Sequence, residues 1–475
     1  MRKFTKKSMT FQTGLVRTTL SAACIGLFSL ETFASDVDLI VEGDYVVTMQ
    51  DDDSIIEQGA IAIKDGVIVE VGKADNIRKK YQTSNIIPGH EKVLMPGLIN
   101  GHSHSAMTLF RGIADDLDLM DWLTQYIFPI ENKFVTPEFI KTGAELACYE
   151  MIQSGTTTFV DMYFYPEVIA DVMVDCGLRA IITAPMIDTP SPGFKGWNDS
   201  FSAGEKYVRQ WQNKHPRITP GFGPHAPYTV IPEHLKQVGE VAKKLSAPIS
   251  IHVAETSGET DIIQSQYHKT PVTHVLSQLQ DNWIIAAHMV HPLESEYPSM
   301  AAANLGAIHN PTSNAKLASG LSPVPEMLNA GIRVGLGTDG AASNNNLDMF
   351  EEIRTAALIH KLESGDPKKL PALDALKLAT KYGAAAIGFE SSIGQLKTGY
   401  SADLIQLDLS EARIHPIYDI ISHLVYVIDS DQVVTTIVDG KVLMLNKDVK
   451  TLDGRKIKEE AQHKAKEIQQ YLRKH

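Results

Sequence analysis

The sequence predicts an α/β protein: a (β/α)8 barrel of the TIM type, with a small β-sandwich domain formed by both chain ends. Three observations carry this. Short, continuously apolar runs recur between helical stretches through the middle of the chain. Alternating apolar and polar residues occupy a stretch near each end. A cluster of His, Glu and Asp residues falls where those central runs stop.

The central runs are Val93 to Asn100, Thr156 to Asp161, Arg179 to Thr183, Thr219 to Gly223, Pro248 to Val253, Trp283 to Ala287, Leu305 to Ile308 and Ile332 to Gly337, eight in all. A strand buried on both faces reads as an unbroken apolar run rather than an alternation. Eight such runs alternating with helices within about 300 residues match a closed parallel barrel, whose active groups sit at the C-terminal strand ends. From Asp38 to about Glu91 the rhythm is different, with Asp44-Tyr45-Val46-Val47-Thr48-Met49 and Ala60-Ile61-Ala62-Ile63 punctuated by Asp65-Gly66. Similar strands return at Asp403 to Leu407 and Val433 to Val438, with Asp439-Gly440 as a turn before Lys441-Val442-Leu443. These are half-buried antiparallel strands with their turns. The expected organisation is a signal peptide over 1–35, a composite β-sandwich domain from 36–93 and 395–450, the barrel over 94–394, and a C-terminal helix over 451–475. The Lys/Glu run of that last helix reads as a solvated face.

The 475 residues are 43% hydrophobic and 21% charged, enough for a large core and a second unit. A net charge of -13 argues against a nucleic-acid partner, which needs clustered Lys and Arg. A small neutral or cationic ligand suits the chain better. Arg2, Lys3, Lys6, Lys7 and Arg17 precede the apolar run Thr18 to Leu30, and Thr32-Phe33-Ala34 offers small residues for cleavage. This is the layout of a secretory signal. The run is short against the ~20 apolar residues a membrane helix needs, so the expectation is export, to the periplasm, without stable membrane insertion. A basic tail on a cytoplasmic enzyme is the alternative. Beyond that stretch only Cys148 and Cys176 remain, each in an apolar segment, and they read as two buried thiols. Exposed apolar patches on a barrel of this type serve subunit contacts, so a homo-oligomer is compatible with the chain.

The chemistry sits at the strand ends. His102 and His104 follow the first run as Gly101-His102-Ser103-His104, and residues two apart on an extended segment point to one side. His252 ends the fifth run, His288 follows the sixth, and Asp339 follows the eighth in Gly337-Thr338-Asp339-Gly340. Imidazole nitrogens with one carboxylate form a donor set suited to Zn2+, with Fe2+ as the other candidate. His102, His104, His252 and Asp339 are the expected ligands of one ion. Glu255, three residues past His252, is the expected general base and proton shuttle, with Asp339 orienting the nucleophile.

Pro96-Gly97-Leu98-Ile99-Asn100-Gly101-His102-Ser103-His104, then Met107 to Gly112, His252-Val253-Ala254-Glu255-Thr256 and Gly337 to Asn344 together resemble the amidohydrolase superfamily. More narrowly they resemble the 5'-methylthioadenosine/S-adenosylhomocysteine deaminases, grouped with triazine-hydrolase and chlorohydrolase-like enzymes. The likeness spans Asp38 to about Asp448. It implies zinc on His102, His104, His252 and Asp339, with Glu255 and His288 assisting water attack and collapse of the tetrahedral intermediate. It also implies that Glu131, in Phe128-Pro129-Ile130-Glu131, holds the ribose hydroxyls and that His225 contacts the nucleoside. Trp122 is a candidate for the pocket lining, with part of an apolar helix face as its expected role. Two-metal barrels of this type carry a lysine on the fourth strand, and Thr219 to Tyr228 contains none, so one metal is expected.

One departure bears on the substrate. Relatives that accept S-adenosylhomocysteine carry an arginine after the third strand, whereas here Arg179 opens that strand and Thr183 to Ser200 holds only Lys195 as a cation. The expected substrate is 5'-methylthioadenosine, with adenosine and S-adenosylhomocysteine as the other adenine nucleosides, deaminated at C6 to the inosine analogue and ammonia. The alternatives are a deaminase or chlorohydrolase acting on guanine, another modified purine or a triazine, and a non-catalytic barrel serving as a binding module. The nucleobase deaminases that use H-x-E and P-C-x-x-C are excluded, because the chain has no C-x-x-C.

Overall fold

The computed structural model describes residues 35–51 and 54–474, so the expected signal segment lies outside the described residues. The barrel strands are β1 (Leu98–Ser103), β2 (Thr156–Met162), β3 (Arg179–Met186), β4 (Ile218–Pro224), β5 (Ile249–Val253), β6 (Ile284–His288), β7 (Leu305–His309) and β8 (Arg333–Leu336). Each pairs in parallel with the next, in sequence order. The seam between first and last is stitched just past β8, where Asp339 N donates to His102 O at 3.0 Å and Thr338 N to Asn100 Oδ1 at 3.0 Å.

The barrel interior is solid at its N-terminal end. Ile99, Val160, Ile181, Ile285 and Ile308 meet there in one cluster with Ala384 and Ala386 from the plug helix Lys381–Ala386 and with Ile387, which caps it. Each is buried, and a fully buried isoleucine contributes about 1.5–3 kcal/mol. The plug touches the barrel backbone directly: a Cβ on Gly306 would lie 1.8 Å from Ala386 O. With that end filled, access is from the C-terminal ends of the strands.

The two chain ends meet in one mixed sheet. Lys92–Pro96 joins them, running parallel to Leu39–Val47 and antiparallel to Leu404–Asp408. The sheet folds over itself so that Val41, Ile61, Leu94, Leu404 and Ile437 pack in one core. The fold is tight where the turn at Gly66 meets the turn at Gly440. Gly66 has φ +79, and a Cβ there would lie 2.9 Å from Asp439 O.

Two expectations are corrected. The run Val93 to Asn100 is two strands, not one: Lys92–Pro96 belongs to the mixed sheet and the barrel strand begins at Leu98. The break falls at Gly97, where a Cβ would lie 2.2 Å from the Thr157 side chain. Cys148 and Cys176 are a disulfide rather than two thiols, joining helix Pro137–Ser154 to the last residue of helix Pro166–Cys176. The helices flank β2 side by side, a contact that a separation of 28 residues does not reveal. The helix Gly454–Leu472 exposes Lys456, Lys458 and Glu459 on the expected solvated face and packs its other side. Capped by Asp453, it buries Ile457, Ala461 and Ile468, and packs Gly454 on the Tyr149 ring and Tyr471 on Phe134.

Among the described residues no helix is long and apolar enough to cross a membrane.

Candidate active site

The strand ends place three imidazoles and a carboxylate around one point. His102 Nε2 lies 3.4 Å and His104 Nε2 3.2 Å from Asp339 Oδ1, and the Nε2 atoms of His104 and His252 are 3.3 Å apart. Two of the rings are aimed by a bond on the far side: His104 Nδ1 donates to Met162 O and His252 Nδ1 to His225 O, both at 2.6 Å. Asp339 is fixed as firmly. Its Oδ2 accepts from Ser313 Oγ at 2.7 Å and Ser343 Oγ at 2.9 Å, which leaves Oδ1, also bonded to Gly340 N at 2.8 Å, facing the imidazoles. Its backbone stands at φ +64, the left-handed region that a non-glycine residue enters at a cost of ~1–2 kcal/mol.

These residues fit a metal ion on their own geometry. His102 is fully buried and neither of its ring nitrogens makes a hydrogen bond. A buried imidazole facing two others and a carboxylate needs a shared electrophile, and outer bonds such as those of His104 and His252 are the usual accompaniment of a metal site. Burial pulls the His102 imidazole down to about 4, so it is a neutral donor. At His104 burial pulls the same way, but the hydrogen bond and charge of Asp339 outweigh it and lift the ring to about 9. A proton and a cation therefore compete for this position.

Glu255 and His288 stand beside the cluster. Glu255 Oε2 is 3.7 Å from His288 Nε2, and burial pushes its carboxyl up from the ordinary value. His288 Nδ1 lies 2.9 Å from Asn314 Oδ1, closer than the 3.3 Å to Asn310 Nδ2, so Nδ1 donates and Nε2 is left facing Glu255.

A cavity opens above these groups. His104, His225, His252, Glu255, His288 and Asp339 line its floor, while Leu119, Trp122, Leu123, Ile127, Phe128 and Phe164 wall one side. No lysine or arginine among the described residues lines it. Trp122 both lines the cavity and packs into the apolar core, at the start of the π-helical turn Trp122–Ile127, a wider winding that sequence periodicity does not register. Glu131 follows on helix Phe128–Phe134, buried at the cavity wall, and accepts from Tyr163 OH at 2.7 Å. Burial pushes its carboxyl up to about 7, against the pull of that hydrogen bond. The His225 ring lies 4.8 Å from that of His252, tilted by 49°, and its Nδ1 lies 3.0 Å from Thr229 Oγ1. Burial draws it down to about 3, so it stays neutral.

The sequence profile of the Amidohydrolase family matches residues 93–443. The chain belongs to the amidohydrolase family. It is 45% identical over 429 residues to a 5-methylthioadenosine/S-adenosylhomocysteine deaminase of Pelotomaculum thermopropionicum, covering 90% of this chain and 98% of that one. It is 44% identical over 434 residues to a 5'-deoxyadenosine deaminase of Methanosarcina mazei, covering 91% and 98%. A crystal structure of an adenosine deaminase from Xanthomonas campestris with bound zinc superposes with a TM-score of 0.90 at 35% identity, covering 92% of this chain and 100% of that one.

Several groups of this amidohydrolase's site escape a reading by motif. Asp161, at the end of β2, accepts from Ser105 N at 2.6 Å and Ser103 Oγ at 3.3 Å, pinning both neighbours of His104. Its partners lie on another strand, so no local signal marks it. Tyr163, Ser313 and Asn314 are likewise ordinary polar residues until β2 and the loop after β7 bring them in. Glu259 does carry a signal, because Thr256-x-x-Glu259 is the capping-box pattern at the start of helix Ser257–Tyr267.

Proposed function

We propose that this chain is a zinc-dependent hydrolytic deaminase of adenine nucleosides, with 5'-methylthioadenosine or another 5'-substituted adenosine lacking a carboxylate as its substrate. The observation that carries the reading is the cavity itself. His104, His252, Asp339, Glu255 and His288 share one floor, with His102 buried beside them, under an apolar wall without a cation among the described residues. Relatives above 40% identity over nearly the whole chain, named as deaminases of such nucleosides, support it.

His102, His104, His252 and Asp339 would hold the metal, which when bound lowers the pKa of water toward ~7 and polarises the carbon under attack. Glu255 takes a proton from the attacking water and delivers it to the adjacent ring nitrogen of the purine. Its raised carboxyl suits both halves of that transfer. Asp339 Oδ1 accepts from the nucleophile and sets its direction, while the hydroxyls on Oδ2 keep the carboxylate from rotating. His288, with its Nδ1 proton engaged by Asn314, offers Nε2 as a second acceptor for the water. Water and nucleoside thus give the inosine analogue and ammonia. Glu131 accepts from the ribose hydroxyls and His225 meets the nucleoside from the floor.

The third-strand arginine is no carboxylate partner. Arg179 Nε bonds Asp403 Oδ2 at 2.7 Å at the opposite end of β3, and Lys195 is exposed outside the cavity lining. Ammonia release measured against 5'-methylthioadenosine, adenosine, S-adenosylhomocysteine and guanine tests this. Preference for the carboxylate-free adenine nucleosides is the expected result; turnover confined to guanine, or absent throughout, overturns it.

We further propose that the protein is exported to the periplasm. The basic and apolar N-terminal pattern supports this, as does the Cys148–Cys176 disulfide, since such bonds persist in oxidising compartments. N-terminal sequencing of mature protein from a periplasmic fraction checks it.

A further inference from the structure

We propose that Glu259 is a positioning residue for Glu255: its buried carboxylate holds the backbone on which the proton-transferring side chain is mounted. The inference rests on the role given to Glu255.

Past β5 the chain leaves extended geometry at once, with Ala254 at φ +53. A left-handed alanine persists only where its surroundings over-determine it. Here they do so from two sides. Glu259 Oε1 accepts from Ala254 N at 2.9 Å and Glu259 Oε2 from Glu255 N at 2.8 Å. The carbonyl of Ala254 accepts from Val290 N and His291 N, both at 2.9 Å, and Val253 O accepts from Met289 N at 3.1 Å. The residues just past His288 therefore grip the same turn that Glu259 grips from behind. The 3.7 Å separation of Glu255 and His288 is set by this clamp.

Helix capping alone does not explain Glu259. In a capping box the glutamate at the third helical position reaches back to the backbone N–H of the capping residue, here Thr256. Thr256 Oγ1 does accept from Glu259 N at 3.2 Å. The Glu259 carboxylate, however, meets Thr256 only weakly and directs its two short bonds to the N–H groups of the two preceding residues. It is 3% exposed, forms no ion pair among the described residues, and does not line the cavity. A buried carboxylate is costly unless hydrogen bonds compensate it. Its two carboxylate bonds are those on either side of the Ala254–Glu255 peptide.

The test is a double-substitution cycle on the metal-loaded enzyme with 5'-methylthioadenosine or adenosine, whichever it turns over. Glu259→Gln leaves one of the two N–H groups without an acceptor. It is expected to lower kcat on the order of tenfold or more, with KM and metal content within about twofold of the parent. In the Glu255→Gln background the same change should cost nothing further, because the group it positions is gone. Adding Ala254→Gly to Glu259→Gln should recover part of the lost kcat, since glycine holds the left-handed turn without strain. An equal fractional loss in both backgrounds, or an unchanged kcat, overturns the proposal. Wild-type turnover by Glu255→Gln alone instead overturns the role of Glu255. Should Glu259→Gln not fold, Glu259→Asp, which keeps the charge but shortens the reach, takes its place in the cycle with the same expectations.

Discussion

The phenol of Tyr163 donates to Oε1 of Glu131 across 2.7 Å, joining two buried side chains that both line the cavity. Burial lifts that carboxyl from the usual 4.5 to about 7, and the Tyr163 bond, which favours the ionised form, restrains the rise.

Affinity for the nucleoside should therefore depend on pH. The ionised Glu131 accepts from ribose hydroxyls, so KM is expected to fall as pH rises through about 7. Tyr163→Phe should move that midpoint upward, and Glu131→Gln should flatten this part of the profile. The stability sign is opposite. Because the folded value lies above the unfolded one, the protonated group's contribution is full below about 4.5 and is lost as pH rises through about 7. Melting temperature of Glu131→Gln against wild type, followed from pH 4.5 to 7, should show the difference; parallel curves would count against it.

Replacing Glu255 by glutamine should keep the metal and remove the proton transfer. A kcat loss of about 10²–10⁴ is expected, with metal stoichiometry unchanged by elemental analysis. Loss of metal along with activity would mean that Glu255 is a ligand and not a shuttle.

Chelation should abolish turnover and lower the melting temperature together, with both restored by Zn2+. The physical reason is His102, whose buried nitrogens have no hydrogen-bond partner. An ion at a thousand times its Kd stabilises a fold by about 4 kcal/mol. Calorimetry with and without chelator reads this, and His102→Ala should abolish the difference.

Cys148→Ala with Cys176→Ala should destabilise the oxidised protein by about 2–4 kcal/mol, and reductant should bring wild type to the same melting temperature. Neither sulfur lines the cavity, so kcat below the transition should not change. A melting temperature insensitive to reductant would contradict the bridge.

Much of the barrel was legible because its signals are local. A strand buried on both faces writes its own apolar run, and seven of the eight runs lie within a few residues of the strands β2 to β8. The eighth misled at Gly97, since apolar continuity is blind to a chain passing from one sheet into another. The convergence of His102, His104, His252 and Asp339 was readable for the same reason: in a closed parallel barrel every strand end faces one rim.

What the sequence by itself determined is therefore periodic or contiguous: the strand count, the pairing of the two ends, the donor residues at the rim. Only the tertiary structure decided the partners of those donors. That Glu259 reaches past its own cap, that Tyr163 restrains Glu131, that Cys148 meets Cys176 and that Trp122 turns into the cavity are contacts between segments or departures from regular winding. Residue type and spacing carry no record of them, because each depends on distances that exist only once the elements have packed.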